Sequence, residues 1–293
     1  MGRTSEQHTG PQGKFGATLV RLRSDSPARL PRMGWNSLAT QFCLELTFGV
    51  FVALAFVPKA PVGRLFYRIM GTAAVVPLIL AGLVPPIEKS ANWTDWSIVA
   101  TWIALGAFPV ISGPFRGKKW ALGLAWGLAW TAVALVLTLS QSATTEGALQ
   151  LATGSLSAMA TGAVAGSVGL AMVLGHWYLT VPNLSVHHLV RLNRVTIVSM
   201  LVSLAALGLS ILVFGEELAA ARQPLLSPWG LFYLGARVAV GLALPLLFAW
   251  MTAGSLQFKN TRSATGILYA STVLVLIGTA VSISLQDSYG VPL

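Results

Sequence analysis

The sequence predicts an all-α, polytopic integral membrane protein: a bundle of about eight transmembrane helices. Of its 293 residues, 55% are hydrophobic and only 10% are charged, whereas soluble domains contain roughly 25% charged residues. The apolar residues fall in blocks of about 20, which is the length that an α-helix needs to cross the hydrocarbon core. Most of the chain therefore cannot face water.

Two regions differ in composition: a basic tail at residues 1–34 and a transmembrane domain at residues 35–293. The tail has no apolar run long enough for the core of a signal peptide. Its stretch from Lys14 to Arg23 has the composition of a short amphipathic helix on the membrane surface. A disordered segment that docks a partner explains the tail equally well.

Apolar segments follow one another through the second region, with bounds uncertain by a few residues. They lie at residues 37–57, 66–84, 94–112, 119–140, 153–179, 193–214, 229–252 and 263–285. Proline, glycine and polar runs separate them, such as Pro85-Pro86 and Gly113-Pro114. The connections are short, so consecutive helices are expected to be antiparallel neighbours.

The loops after the odd-numbered spans carry most of the basic residues. They contain Lys59, Arg64, Arg116, Lys118, Lys119, Arg191, Lys259 and Arg262, whereas the opposite loops contain Lys89 and Arg222. The positive-inside rule predicts that the basic loops are cytoplasmic and that both termini lie outside. The basic tail favours the opposite orientation, and an odd number of spans would remove this conflict.

Net charge and cysteine content exclude several classes of partner and site. The formal charge of +10 is expected of loops beside anionic headgroups and does not indicate a nucleic-acid partner. The single cysteine, Cys43, excludes an internal disulfide and a cysteine-ligated zinc or iron–sulfur site within the chain. No nucleophile-elbow, zinc-protease or phosphate-loop motif is present, so nothing indicates a self-contained hydrolase or ATPase.

Three polar residues lie deep inside the predicted spans. Glu45 is about nine residues into the first helix with Gln41 one turn earlier, and Arg237 is about nine residues into the seventh. Both charges should lie roughly 13 Å from the same membrane face. Charged residues at this depth usually face the bundle interior or a water-filled cavity. The sequence allows a structural Glu45–Arg237 ion pair, separate hydration of the two charges, or a proton or ligand station.

The fifth span is rich in small residues. Gly162 and Gly166 form a GxxxG pattern, and Gly169 extends the same small face. Such faces allow two membrane helices to approach closely. We therefore predict helix packing at these glycines; a cavity for a flat ligand, such as a quinone or a lipid, is the alternative.

Histidine and aromatic residues cluster at the far end of that span. His176, Trp177 and Tyr178 are consecutive, and His187 and His188 follow in what the sequence predicts to be a short loop. Tryptophan and tyrosine at a span end are ordinary interface anchors. Histidine, with an unperturbed pKa of about 6.5, can also exchange a proton with a quinol. We treat these five residues as a candidate quinone site.

Haem and metal ions fit this cluster poorly. A membrane b-type haem takes histidines from facing spans, but no other predicted span contains a histidine, and the remaining one lies in the tail. The cluster also lacks nearby carboxylates for a metal ion. We therefore expect no covalently bound cofactor and none held through a metal ligand.

Two sequence strings, Gly175–Leu179 (GHWYL) and Ser263–Tyr269 (SATGILY), resemble those of multi-pass bacterial membrane proteins. Chain size, eight spans and external termini are similar to the quinone-interacting membrane anchors of the polysulfide and DMSO reductase type. The resemblance implies a haem-free bundle in the bacterial inner (cell) membrane, which binds quinone near one face and docks an iron–sulfur subunit.

The leading hypothesis is therefore a non-haem subunit of a respiratory or electron-transfer complex, not catalytic alone. Its expected ligands are quinone and lipid, and its expected partners are an iron–sulfur or cytochrome protein. One alternative is a proton-coupled transporter of a small solute, with Glu45 as the coupling carboxylate. The other is a purely structural assembly subunit.

Overall fold

The computed structural model describes residues 2, 35–57, 63–88, 90–113, 117–141, 147–181, 184–221, 224–291 and 293. Within these ranges the chain forms helices and no strand, which confirms the predicted all-α helix bundle. The predicted basic tail, apart from Gly2, lies outside the described residues.

The helices follow one another through short connections. They are α1 (Trp35–Ala55), α2 (Arg64–Ile87), α3 (Trp96–Leu105), α4 (Phe108–Ile111), α5 (Lys118–Ser140), α6 (Ala148–Thr180), α7 (His187–Val213), α8 (Gly215–Ala220), α9 (Pro228–Gly235), α10 (Leu244–Gln257) and α11 (Thr261–Tyr289). A π-helical segment, Ala236–Ala243, joins α9 to α10. In the described part of the chain, seven helices are long and apolar enough to cross a membrane: α1, α2, α5, α6, α7, Pro228–Gln257 and α11.

The third predicted span, residues 94–112, is shorter than the others and broken. It consists of α3 and α4, which together cover Trp96–Ile111. The break has a local cause: Pro109 has no backbone N–H, and in a regular helix its ring would clash with the carbonyl of Leu105. The first helix accordingly ends at Leu105, and the second begins at Phe108 with the proline in its first turn.

This broken segment nevertheless runs along the whole of α5. The Ser97 hydroxyl donates to Gln141 Oε1 at 3.3 Å at one end, and Trp120 Nε1 donates to the Ile111 carbonyl at 3.3 Å at the other. Because these contacts pair the start of α3 with the end of α5, the two run antiparallel. The segment is therefore an eighth crossing of the bundle, in agreement with the predicted number of about eight.

The first span and the fifth, α1 and α6, cross with their backbones in direct contact. A Cβ atom added at Gly49 would lie 1.7 Å from the Gly162 carbonyl oxygen, and one added at Gly166 would lie 1.9 Å from the Gly49 carbonyl carbon. A Cβ at Gly162 would lie 2.3 Å from the Glu45 carbonyl oxygen. Since 45 pairs with 162 and 49 with 166, the two helices run parallel.

Gly169 does not belong to this crossing, which corrects its predicted packing role. A Cβ added there would meet nothing within 4 Å. Two helix axes that cross at an angle diverge on either side of the crossing point. The close contact with α1 is therefore made at Gly162 and Gly166 and not at Gly169.

Candidate functional site

Six polar side chains from five membrane-length helices are buried in the same half of the bundle, which we call the polar cluster. They are Gln41 and Glu45 of α1, Thr161 of α6, Ser203 of α7, Arg237 of the π-helical segment and Gln286 of α11. Glu45 and Arg237 each lie about ten residues beyond the start of their helices, or about 15 Å deep. The fully buried Arg237 side chain is among the largest in the interior.

Glutamine side chains hold the carboxyl group of the cluster. Gln41 Nε2 donates to Glu45 Oε1 at 2.8 Å and to Gln286 Oε1 at 2.9 Å. Both hydrogens of the Gln41 amide are thereby used, one within α1 and one toward α11. The second carboxyl oxygen, Glu45 Oε2, is buried and has no hydrogen-bond partner among the described residues. Half of the carboxyl group is therefore left unsatisfied.

Two hydroxyl groups hold the guanidinium of the cluster. Arg237 Nη2 donates to Thr161 Oγ1 and to Ser203 Oγ, each at 2.9 Å. These acceptors are neutral, so they satisfy N–H groups without balancing the positive charge. Arg237 Nε is buried and has no partner within the described ranges. The guanidinium is thus oriented by α6 and α7 but only partly satisfied.

The carboxyl and guanidinium groups act on each other through space. Each lies within electrostatic range of the other, yet none of the hydrogen bonds found among the described residues joins them. Glu45 Oε2 and Arg237 Nε both lack a partner there. An ionised group taken into the interior costs several kcal/mol unless it is paired and fully hydrogen-bonded. The polar cluster therefore holds an acidic and a basic side chain that are not directly paired.

The backbone around Arg237 is irregular. The residue lies in the π-helical segment Ala236–Ala243, and Pro245 is the second residue after that segment. A proline at that position would clash with the Gly241 carbonyl in a regular helix, and the wider π turn avoids the clash. Gly241 also contacts α11 closely, because a Cβ added at Gly278 would lie 2.2 Å from the Gly241 Cα. π-Bulges of this kind occur frequently at functional sites.

The predicted quinone residues at the end of α6 point into different surroundings. His176 is exposed, and its Nδ1 lies 3.3 Å from the hydroxyl of Tyr269, which is also exposed. Trp177 packs edge-on against the ring of Phe66, with 5.8 Å between centroids. Tyr178 is buried, and its hydroxyl donates to the backbone carbonyl of Ser185, just before α7. Consecutive helical residues are about 100° apart, so these three do not line one pocket.

His187 and His188 lie in a helix, which corrects the predicted loop. They are the first two residues of α7, with His187 exposed and His188 half-buried, and their ring centroids are 6.0 Å apart. The helix begins six residues before its predicted start because Leu189, Leu192 and Asn193 already follow the helical spacing and are buried. Among the described residues, no group of three histidine, cysteine or acidic side chains is placed to hold a metal ion.

Three partners of the predicted station were not found from the sequence. Thr161 and Ser203 carry hydroxyls, which in membrane helices usually satisfy their own backbone and so give no distinct signal. Gln286 lies just beyond the predicted end of the last span at residue 285, but α11 continues to Tyr289. The one signal in the sequence that could have indicated Gln286 is the position of a glutamine so close to the end of an apolar span.

Known proteins give no further guide to the site. No family model matches the chain. No curated protein and no solved structure matches it either. A functional assignment must therefore come from the chemistry of the polar cluster and of the exposed His176–Tyr269 pair.

Proposed function

We propose that this integral membrane protein is a transporter that couples the movement of a small polar solute to that of a proton. The observation that carries the proposal is a pair of buried and incompletely hydrogen-bonded side chains, the acidic Glu45 and the basic Arg237. Of the hypotheses drawn from the sequence, the polar cluster favours the proton-coupled transporter with Glu45 as the coupling carboxylate. Glu45 would carry the proton, and Arg237 would contact the solute.

Energetics favour a working site over a purely structural one. Replacing a buried ion pair by well-packed apolar residues is often neutral or stabilising, so two separated charges are a poor way to stabilise a bundle. Nearly all buried polar atoms in proteins have partners, and each exception needs an explanation. A solute that supplies one acceptor would explain the unpartnered Arg237 Nε, and a proton that neutralises the carboxyl would explain the unpartnered Glu45 Oε2.

The placement of the cluster also suits transport. Its side chains come from five helices, so a small rearrangement of any of these helices would change their distances. The π-helical segment and the glycine contact at Gly241 lie directly beside Arg237. Irregular backbone at membrane depth is tolerated where it is buried in protein or lines a water-filled cavity.

Proton-driven uptake into proteoliposomes tests this proposal. The purified full chain would be reconstituted, an inward proton gradient imposed, and accumulation followed for a panel of small carboxylates, halides, amino acids, sugars and amines. We expect accumulation of one class, lost in Glu45→Gln. The matched control, Glu88→Gln, alters an exposed carboxyl at a helix end. No accumulation of any class, or full accumulation in Glu45→Gln, would overturn the proposal.

As a second candidate we propose the quinone-interacting subunit that the sequence resemblance implies. One observation favours it: His176, a member of the predicted quinone site, lies 3.3 Å from the Tyr269 hydroxyl on the outer surface of the bundle. There they could contact a quinone headgroup from the lipid phase. Co-purification with an iron–sulfur or cytochrome subunit, and quinol oxidation lost in both His176→Ala and Tyr269→Phe, would support it. Unchanged quinol oxidation in these variants would exclude it.

A further inference from the structure

The polar cluster leaves one N–H donor of its buried guanidinium, Arg237 Nε, without a hydrogen-bond partner among the described residues. We infer that the solute is a small monovalent anion, a halide or a simple monocarboxylate, which binds at Arg237 Nε and crosses together with one proton on Glu45. This inference rests on the proposed transport function and names its substrate class and stoichiometry. It follows from three properties of the cluster.

The first property is the neutrality of the groups that hold Arg237. Its Nη2 atom contacts only the hydroxyls of Thr161 and Ser203, and its Nε atom is buried without a partner. Of the buried residues in the described structure, Glu45 is the one acidic side chain, and it does not hydrogen-bond the guanidinium. The unsatisfied Nε–H is therefore a donor that an anion would complete with a charge-assisted hydrogen bond.

The second property is the balance of charge within the cluster. Arg237 is the charged group that acts on Glu45 from the helices packed around it in the described part of the chain, and the facing Gln41 and Gln286 are neutral. With Glu45 ionised, the site sums to zero. When Glu45 takes a proton, the added positive charge requires one monovalent anion to restore that sum. A divalent anion would overshoot it, and a cation would add to the charge of Arg237.

The complete cycle conserves atoms and charge. One proton and one anion enter from the same side, the proton on the Glu45 carboxyl and the anion at Arg237 Nε. Both leave on the other side, and Glu45 returns to its ionised state. The net movement is one neutral acid equivalent, so the process does not depend on the membrane potential.

The third property is the restricted space and donor geometry. Both hydrogens of Nη2 are used by the hydroxyls, so the edge of the guanidinium that includes Nε offers one N–H to an anion rather than the two of a bidentate carboxylate pair. Close backbone contacts lie nearby: a Cβ at Gly162 would lie 2.3 Å from the Glu45 carbonyl oxygen, and one at Gly241 would lie 2.7 Å from the Gly278 Cα. The geometry thus favours a halide or a carboxylate with a short chain.

Anion binding by the purified full chain gives the first test. Sodium chloride, formate and acetate would be titrated against a sodium gluconate background, with thermal stabilisation of the protein as the readout, since a bound ligand raises stability. We expect one of these anions to stabilise the wild type. Arg237→Gln should weaken its binding about 10- to 150-fold, the range for a hydrogen bond to a charged group. Comparison of the stabilisation by chloride with the stabilisation by formate and acetate identifies the class of anion that binds.

Three further variants make this test independent of a folding defect. Arg237→Lys keeps the charge but removes the Nε donor, so binding should weaken without loss of the folded protein. Glu45→Gln imitates the protonated carboxyl, so it should still bind the anion but no longer move a proton with it. Arg262→Gln removes an exposed basic residue at a helix end and should bind like the wild type. Anion binding that is unchanged in both Arg237 variants would overturn the inference.

Proteoliposomes test the stoichiometry. In wild-type vesicles, anion flux should be unchanged when potassium and valinomycin impose a membrane potential, and one proton should accompany each anion. Proton-coupled accumulation of an amine or sugar that does not need Arg237 would overturn the anion inference and leave the transport proposal standing. Absence of proton-coupled flux of every solute would overturn the transport proposal itself.

Discussion

Replacing Gly166 by alanine should separate α1 from α6 and destabilise the bundle. The added Cβ would lie 1.9 Å from the Gly49 carbonyl carbon, whereas ordinary contact begins at 3.4 Å. The helices must therefore move apart by about 1.5 Å, because the obstacle is backbone and cannot rotate away. Overpacking of this kind costs about 1–3 kcal/mol, which outweighs the gain of about 1 kcal/mol that alanine brings over glycine within a helix.

Gly169 provides the matched control on the same helix. A Cβ there meets nothing within 4 Å, so Gly169→Ala should raise stability by up to about 1 kcal/mol through helix propensity alone. Both variants would be compared with the wild type by thermal or denaturant unfolding in the same lipid nanodiscs. If Gly166→Ala proved as stable as Gly169→Ala, the backbone contact between α1 and α6 would be refuted.

Further predictions concern the amide pair, the α6–α7 connection and the orientation. Gln41→Leu removes two hydrogen bonds and should cost about 1–3 kcal/mol of unfolding free energy, and Gln286→Leu should cost about 1 kcal/mol. Because the two residues share one hydrogen bond, the double variant should cost less than the sum of the single variants. A double variant that costs the full sum would contradict this hydrogen bond. Tyr178→Phe removes the hydrogen bond to the backbone carbonyl before α7, so it should speed amide hydrogen exchange at the start of α7 and lower the unfolding free energy by about 1 kcal/mol. Unchanged exchange would contradict a stabilising role of this hydrogen bond. In a variant without the native cysteine, Glu216→Cys should react with a membrane-impermeant maleimide in intact cells and Lys118→Cys only after permeabilisation; the reverse pattern would invert the predicted orientation.

Hydrophobicity was enough to predict most of the fold. A run of about 20 apolar residues has few alternatives to a membrane helix, so every long span was recognised. The break within the third span was not predicted, because the apolar composition continues through Pro109 while the hydrogen-bond ladder does not. Ends of helices were also misjudged where polar residues continue the helix, as at His187 and Gln286.

The candidate site could be predicted only in its charged members. Glu45 and Arg237 stand out in a sequence because a charge deep in an apolar span is costly. Their partners do not, since a threonine or serine such as Thr161 or Ser203 looks the same whether it binds its own backbone or a distant guanidinium. Likewise, Gly166 and Gly169 are equivalent in sequence, and only the position of the neighbouring helix distinguishes them. Tertiary geometry of this kind is not encoded in local spacing.

The most direct test of the proposed site is to measure whether Glu45 takes up a proton when the solute binds. Infrared difference spectra of the reconstituted protein, recorded with and without the anion that binds, would reveal a carboxyl group that gains a proton. The account predicts a new carboxylic-acid band in the wild type, its absence in Glu45→Gln, and its persistence in Glu88→Gln. Solute binding without such a band, or a band that persists in Glu45→Gln, would contradict it.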